Sequence, residues 1–371
     1  MKQLLYISYA DYKNNENLGI IKKIEGQKNA FRNAGYQINQ LKIADRLVYI
    51  NDTHIFTLKN RIDYWVILPL VLKKWFRKNY QFYDIIYIRK ELVLLPLYKI
   101  LFRQFKKQSA NVLMEIPTYP YKMEIGSGFK GGFLFFLDCF NNLLIRKDID
   151  YIITTQNYDT ILGIKTIKIK NGYDFSNVRL KNRERKGSVI NLISVSNFHS
   201  WHGTDRVLYG LYQYYRKKES EKYKVILHLV GEGIELTKLQ QLSKELQLED
   251  VIFYGPKSGN DLDRIYDQAD VGIGSLALHR LNLDFTSTLK SKEYCYCGIP
   301  FIIGNPDPEL KAFEFVLEFP NDDTPIDIDK VIHWYHALAI SAEEIQDTGR
   351  KLYDWDVQIN KILRELAVSR S

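Results

Sequence analysis

Short apolar runs alternate with amphipathic stretches along this chain, and that alternation limits its fold more than any other feature. LLYISYA (4–10) reads as a buried strand. IKKIEGQKNAFRNAG (21–35) reads as a helix closed by Gly35, and YQINQLKI as the returning strand. DIIYIR (84–89), VLMEI (112–116), DYIITT (150–155) and TIKIKNG (166–172) continue the series. A second cycle follows the charged stretch VRLKNRERKGS (178–188), which reads as a linker or exposed loop. Its strands are INLISVS (190–196), KVILHLVGEG (224–233), VIFYG (251–255), DVGIGS (270–275), PFIIG (300–304) and FVLEFP (315–320), with helical segments between them. Helical patterning then runs over 328–339 and 343–367, the latter expected to bend or break around Gly349. Strands of this kind belong to parallel sheets covered by helices on both faces, so the expected class is α/β with two doubly wound domains and a cleft between them.

The 371 residues suffice for two cores, and 46% hydrophobic with 26% charged residues exclude a disordered chain. Three cysteines (Cys139, Cys295 and Cys297) lack metal-ligand spacing and point to a reducing compartment. MKQLLYISYADY turns polar too early for a signal peptide. The longest apolar runs, 65–72 and 92–102, are far shorter than the roughly 20 residues of a spanning helix. The net charge of +8 is uneven: residues 1–170 hold 27 Lys and Arg against 14 Asp and Glu, the remainder 25 against 30. KKWFRKNYQFY (73–83) and KILFRQFKKQ (99–108) interleave this basic charge with aromatics, which suits an anionic membrane surface. A solvated basic face and nucleic-acid binding compete with that reading, but no nucleic-acid motif accompanies the charge.

TSTLKSKEYCYCGIP (286–300) carries the most chemistry. Ser287, Lys290 and Glu293 recur every three residues and share one helical face. A strand feeding a helix N-terminus offers backbone N–H groups to phosphate; Lys290 adds charge, and Glu293 two acceptors for sugar hydroxyls. The bland alternative is a solvated amphipathic helix.

With these segments in order, residues 171–305 resemble the retaining glycosyltransferases of family 4, which have the GT-B fold of two Rossmann-like domains. The resemblance rests on NGYD (171–174), ISVSNFHSWHGTDRVL (193–208), LVGEG (229–233), VIFYGPKSGNDLDRIYDQADVGIGSL (251–276), the 286–300 motif and CGIP (297–300). EIPTYPY (115–121), NLGIIKKIEGQ (17–27) and WHG are similar to a subgroup from bacterial surface-polysaccharide clusters. The resemblance implies an acceptor-binding domain over 1–172 with a returning helix at about 352–371, and a donor-binding domain over 173–351. It also implies a cytoplasmic, membrane-peripheral enzyme that uses no cofactor, moving sugar from a UDP- or GDP-sugar to a lipid-linked or growing surface glycan.

Residue by residue, the resemblance implies that Glu293 holds the donor ribose and Lys290 the diphosphate, with Thr286, Ser287, Leu289, Asn197, His202, Gly203, Gly231, Gly233 and Gly255 around the donor. Gly19, Arg89, Glu115, Thr118 and Tyr119 are the acceptor-side candidates. The family's first carboxylate falls on Phe285, leaving Asp284 one place away as its substitute. Its usual Arg and Lys fall near Asn197 and His202, and PTYP takes the place of its histidine. No Asp-x-Asp ends a strand in the first domain, and retaining enzymes of this fold generally work without a divalent ion. A nucleotide-sugar epimerase or hydrolase, or a non-catalytic binding partner, remain alternatives.

Overall fold

The computed structural model describes every residue except 15–16, 91–92, 126–127, 177–186, 218–221, 284–287, 305–308 and 369–371. The 178–188 linker therefore lies largely outside the described residues. The chain divides into two compact units, Met1–Asp174 with Asp354–Ser371, and Phe175–Tyr353.

The first unit runs β1 (Lys2–Asp11), α1 (Leu18–Asn33), β2 (Tyr36–Ala44), β3 (Leu47–Ile50), β4 (Thr53–Thr57), α2 (Leu68–Lys78), β5 (Tyr83–Arg89), α3 (Tyr98–Lys107), β6 (Ser109–Glu115), α4 (Lys122–Ile125), α5 (Gly128–Ile145), β7 (Tyr151–Thr154), β8 (Thr160–Ile161) and β9 (Ile164–Lys168). Its nine strands lie in the order β4-β3-β2-β1-β5-β6-β7-β9-β8. The central pairs are parallel, and antiparallel hairpins cap both edges. β1 reads as one apolar run because both faces are covered: Leu4 and Tyr6 join the core under α1, Leu5 and Ile7 the core under α2, α3 and α5.

The second unit runs β10 (Val189–Asn197), α6 (Thr204–Tyr215), β11 (Lys224–Glu232), α7 (Leu236–Glu245), β12 (Val251–Gly255), α8 (Gly259–Gln268), β13 (Val271–Ile273), α9 (Leu289–Tyr296), β14 (Phe301–Ile303), β15 (Val316–Glu318), α10 (Ile328–Ala337) and α11 (Ala342–Tyr353). All six strands are parallel in the order β12-β11-β10-β13-β14-β15, the Rossmann arrangement whose direction of winding reverses between β10 and β13.

α12 (Trp355–Val368) belongs to the first unit. The break before it falls at Asp354, not Gly349. The Asp354 side chain accepts from the Asp356 N–H at 2.9 Å, as an N-terminal cap does. Gly349 lies inside α11, where a Cβ would come within 2.5 Å of Cys295 on α9, so it serves close helix packing. The Trp355 indole is wedged between two glycines: a Cβ at Gly26 would reach it at 2.3 Å and one at Gly172 at 2.5 Å.

The basic aromatic segments also differ from expectation. Phe76, Tyr83, Leu101, Phe102 and Phe105 are buried in the core, so most of the apolar side chains at 73–83 and 99–108 do not form a surface. Their helical spacing is that of an ordinary core-facing stripe, with the lysines and arginines on the outer side.

Trp355→Ala is expected to cost about 3–5 kcal/mol through the cavity it leaves. Urea unfolding followed by circular dichroism reads this directly, and an unchanged midpoint would contradict the wedge.

Candidate active site

At the C-terminal edge of the second sheet, the loop after β10 is held against two neighbours. Phe198 N–H donates to the Glu232 carbonyl at 2.6 Å, and the N–H groups of Leu276 and Ala277 donate to the His202 and Trp201 carbonyls, both at 3.1 Å. This approach explains Gly231 and Gly233. They adopt φ of +127° and +142°, and a Cβ would lie 1.9 Å from the Ser196 carbonyl oxygen or 2.3 Å from the Phe198 nitrogen. They are glycines because backbone packs on backbone here. Gly203 is similar, with φ of +65° and Leu276 in the way of any Cβ.

The loop fixes His202. Its Nδ1 lies 3.1 Å from the His199 N–H and 3.1 Å from Ser196 Oγ. Because Nδ1 accepts from a backbone N–H, a neutral ring carries its proton on Nε2. Burial, reinforced by the charge of Lys290, holds His202 down at about 3, so the ring is neutral at physiological pH. The neighbouring Trp201 and His199 rings stack at 4.1 Å.

α9 supplies the charged groups. It is pinned beneath by Tyr294, whose buried hydroxyl lies 2.8 Å from the Ile273 carbonyl of β13 and 3.2 Å from that of Ile193 in β10. Its ring covers Gly272, where a Cβ would be only 2.7 Å away. With that face buried, Lys290 and Glu293 lie a turn apart on another. Lys290 Nζ is buried, and among the described residues it has no hydrogen-bond partner. Burial lowers its pKa to about 7, against the opposing pull of Glu293. Lys292 is turned elsewhere, its ammonium 3.3 Å from the Thr288 carbonyl and over the Tyr353 ring. The two lysines of the motif therefore have different surroundings.

Of the other donor-side candidates, Asn197 is exposed at the end of β10 and Gly255 ends β12 with φ of +66°. Leu289 is exposed in the first turn of α9. Asp284, Thr286 and Ser287 lie outside the described residues. No group of three or more His, Cys, Asp or Glu among the described residues is arranged to hold a metal ion.

In the first unit, a cavity of about 520 Å³ opens at the C-terminal ends of β1, β5 and β6, lined by residues that include Asp11, Asn17, Arg89, Lys90, Thr118 and Tyr121. Gly19 is exposed in the first turn of α1, with open space around it, and Tyr119 packs edge-on to Tyr121 and Tyr158. Glu115 corrects an expectation: it faces inward, not toward an acceptor. One carboxylate oxygen lies 2.9 Å from Lys23 and 2.8 Å from Arg89, and the other accepts from Gln27 at 3.1 Å and Tyr87 at 3.0 Å. Burial alone would raise its pKa, but the Lys23 and Arg89 charges bring it to about 2. Glu115 therefore holds Arg89 in place at the cavity wall. Lys23 and Gln27, missed in the sequence, sit four residues apart on the buried side of α1, the spacing that could have found them. Lys90 is the other missed residue, paired with buried Asp138 at 2.9 Å and set over the Tyr121 ring.

Comparison with known proteins bears on the fold and on the class of reaction. Residues 179–313 match the family model for glycosyl transferases group 1. No curated protein matches the chain by sequence. Among solved structures, a lipopolysaccharide outer core galactosyltransferase is similar at 14% identity and TM-score 0.55, covering 98% of this chain and 100% of its own. A glycosyltransferase involved in avilamycin A biosynthesis follows at 10% identity and TM-score 0.55, covering 98% and 96%. The N-terminal domain of Candida albicans trehalose-6-phosphate phosphatase has 11% identity and TM-score 0.64, covering 99% and 97%. The fold is GT-B. The family match and these neighbours together support a glycosyltransferase.

Two outcomes follow from the buried charges. In the unfolded chain Lys290 returns to its ordinary 10.5, so its burial penalty is full below about pH 7 and fades as pH rises toward 10.5. Lys290→Met should therefore unfold at higher urea than the parent at pH 7, with the gap closing toward pH 10; a constant gap would refute the shifted lysine. Glu115→Gln strands two buried cations and should destabilise by about 3–5 kcal/mol, read from the same curves.

Proposed function

We propose that this chain is a retaining, metal-independent glycosyltransferase of family 4. It transfers a sugar from a UDP- or GDP-sugar to a hydroxyl of a lipid-linked or growing surface glycan, working at the cytoplasmic face of a membrane. The observation that carries this reading is Lys290: a buried ammonium one turn from Glu293, at the C-terminal edge where a Rossmann-ordered sheet reverses direction. Keeping a lysine dry with no hydrogen-bond partner among the described residues is costly, and an arriving diphosphate removes that cost. The three free cysteines support a reducing compartment.

The residues divide the work. Glu293 accepts hydrogen bonds from the two ribose hydroxyls. Lys290 takes up a proton as the diphosphate binds and stabilises its charge as the glycosidic bond breaks. Neutral His202 offers its Nε2–H to a sugar or phosphate oxygen, and its neutrality avoids a second buried cation beside Lys290. The nucleoside diphosphate leaves the sugar's anomeric carbon and the acceptor hydroxyl attacks it on the same face, while a diphosphate oxygen receives the acceptor proton. No protein nucleophile is then needed. Asp284 stands in for the first carboxylate and contacts the transferred sugar, and the cavity beside Arg89 and Thr118 receives the acceptor.

A panel of nucleoside diphosphates and their sugars, screened by thermal unfolding, tests the reading, since a bound donor raises the apparent stability. At least one should shift the transition, and Glu293→Ala should weaken that nucleotide about 10- to 100-fold. At pH 8, calorimetry in buffers of different ionisation enthalpy should show proton uptake on binding, as Lys290 recharges. The proposal fails if none of the nucleotides binds.

A further inference from the structure

α5 is built inside out. Its buried side carries Gly131, Asp138, Asn141, Asn142 and Ile145. Its outer side carries Phe129, Phe133, Phe136, Phe140 and Leu143, which are 93%, 54%, 64%, 46% and 55% exposed. Steps of four, three, four and three residues place these five side chains in one stripe along the helix. A helix facing water reverses this arrangement, so a contiguous apolar stripe of this size marks a surface that something apolar covers.

The charges around the stripe identify the occupant. α3 packs against both α2 and α5, so the three helices form one layer over the sheet. Together they carry nine Lys and Arg, and their one acidic residue, Asp138, is fully buried and paired with Lys90. A second apolar strip, Ile62, Val66 and Ile67 just before α2 with Leu70 in its first turn, is exposed. Apolar strips on either side of a cationic helix match an anionic bilayer, whose headgroups attract the lysines while its acyl boundary takes the phenylalanines. A second copy of this chain fits poorly, because a two-fold contact would set the same cations against one another. No described helix is long and apolar enough to cross a membrane, so α5, about 27 Å long at 1.5 Å per residue, would lie flat.

We propose that the α2–α3–α5 layer docks on an anionic lipid surface, with α5 in the headgroup plane and its phenylalanines inserted. The proposal deepens the reading of a membrane-peripheral transferase and names the surface that does the docking. It also links that surface to the cavity. The inner face of α5 presents Asp138, which accepts from Lys90 at 2.9 Å and from the Tyr121 hydroxyl at 2.6 Å, and both of those residues line the cavity. The helix that enters the lipid thus backs the wall beside which a lipid-borne acceptor would sit.

The test sediments the full chain with vesicles of phosphatidylcholine alone or with about one-third phosphatidylglycerol. Binding should require the anionic lipid and weaken as salt rises from roughly 0.1 to 0.5 M. The double variant Phe133→Ser and Phe136→Ser should bind about tenfold or more weakly, with its thermal transition retained. Should that variant not fold, Arg103→Glu with Lys107→Glu, both exposed cations of α3, must abolish the preference for anionic vesicles. The proposal is overturned if the parent ignores anionic vesicles, if neither variant changes binding, or if the phenylalanine variant splits a dimer in sedimentation velocity. Nucleotide-induced thermal shifts on the same samples keep the two readings separate. Lost lipid binding with an intact shift sinks only the docking surface; lipid binding without any shift sinks only the transferase.

Discussion

The second unit's site depends on one phenol. Tyr294 sits under α9 with its hydroxyl between the Ile193 and Ile273 carbonyls, at the pair of strands where the sheet reverses direction. Gly272 supplies the hollow its ring needs. Once that side chain is seated, the rotation of α9 is set, and with it the direction of every other residue on the helix. Lys292 turns toward Tyr353, Cys295 toward α11, and Lys290 toward His202 in the loop after β10. The charged residues of α9 are aimed by a neutral pin at its back.

The two units treat buried charge in opposite ways. In the first, Glu115 is answered by two cations and two further donors, a network that positions Arg89. In the second, the buried Lys290 ammonium has no hydrogen-bond partner among the described residues, Glu293 opposes its loss of charge, and His202 beside it is kept uncharged. The first arrangement is suited to rigidity. The second leaves a buried cation without a hydrogen-bond partner among the described residues, a perturbed charge of the kind that clusters at functional sites.

Much of the architecture was legible because parallel strands buried on both faces must be apolar throughout, and the helices between them must be two-sided. Lys290 and Glu293 were legible for a related reason: their spacing survives any change in helix length. Glu115 was not, because a carboxylate at a strand end looks the same whether it faces a ligand or a lysine from α1. The glycines of the β11 loop were visible, but nothing local shows that a neighbouring backbone fills the space a side chain would need. α5 defeated a reading of its sides because so many of its residues are apolar that no polar stripe marks which is outer. The helix break was placed at Gly349 on propensity alone, whereas the chain turns where Asp354 caps the next helix.

The Trp355 wedge has a consequence for how the molecule is made. The first unit is discontinuous: its sheet comes from the first half of the chain, yet Trp355, which fills the space between Gly26 and Gly172, arrives after the whole of the second unit. During synthesis, the second unit can therefore complete its core while the first still lacks a side chain from its own. Vectorial synthesis here inverts the order in which the two halves mature, and α12 acts as the closing stitch of a unit begun about 350 residues earlier.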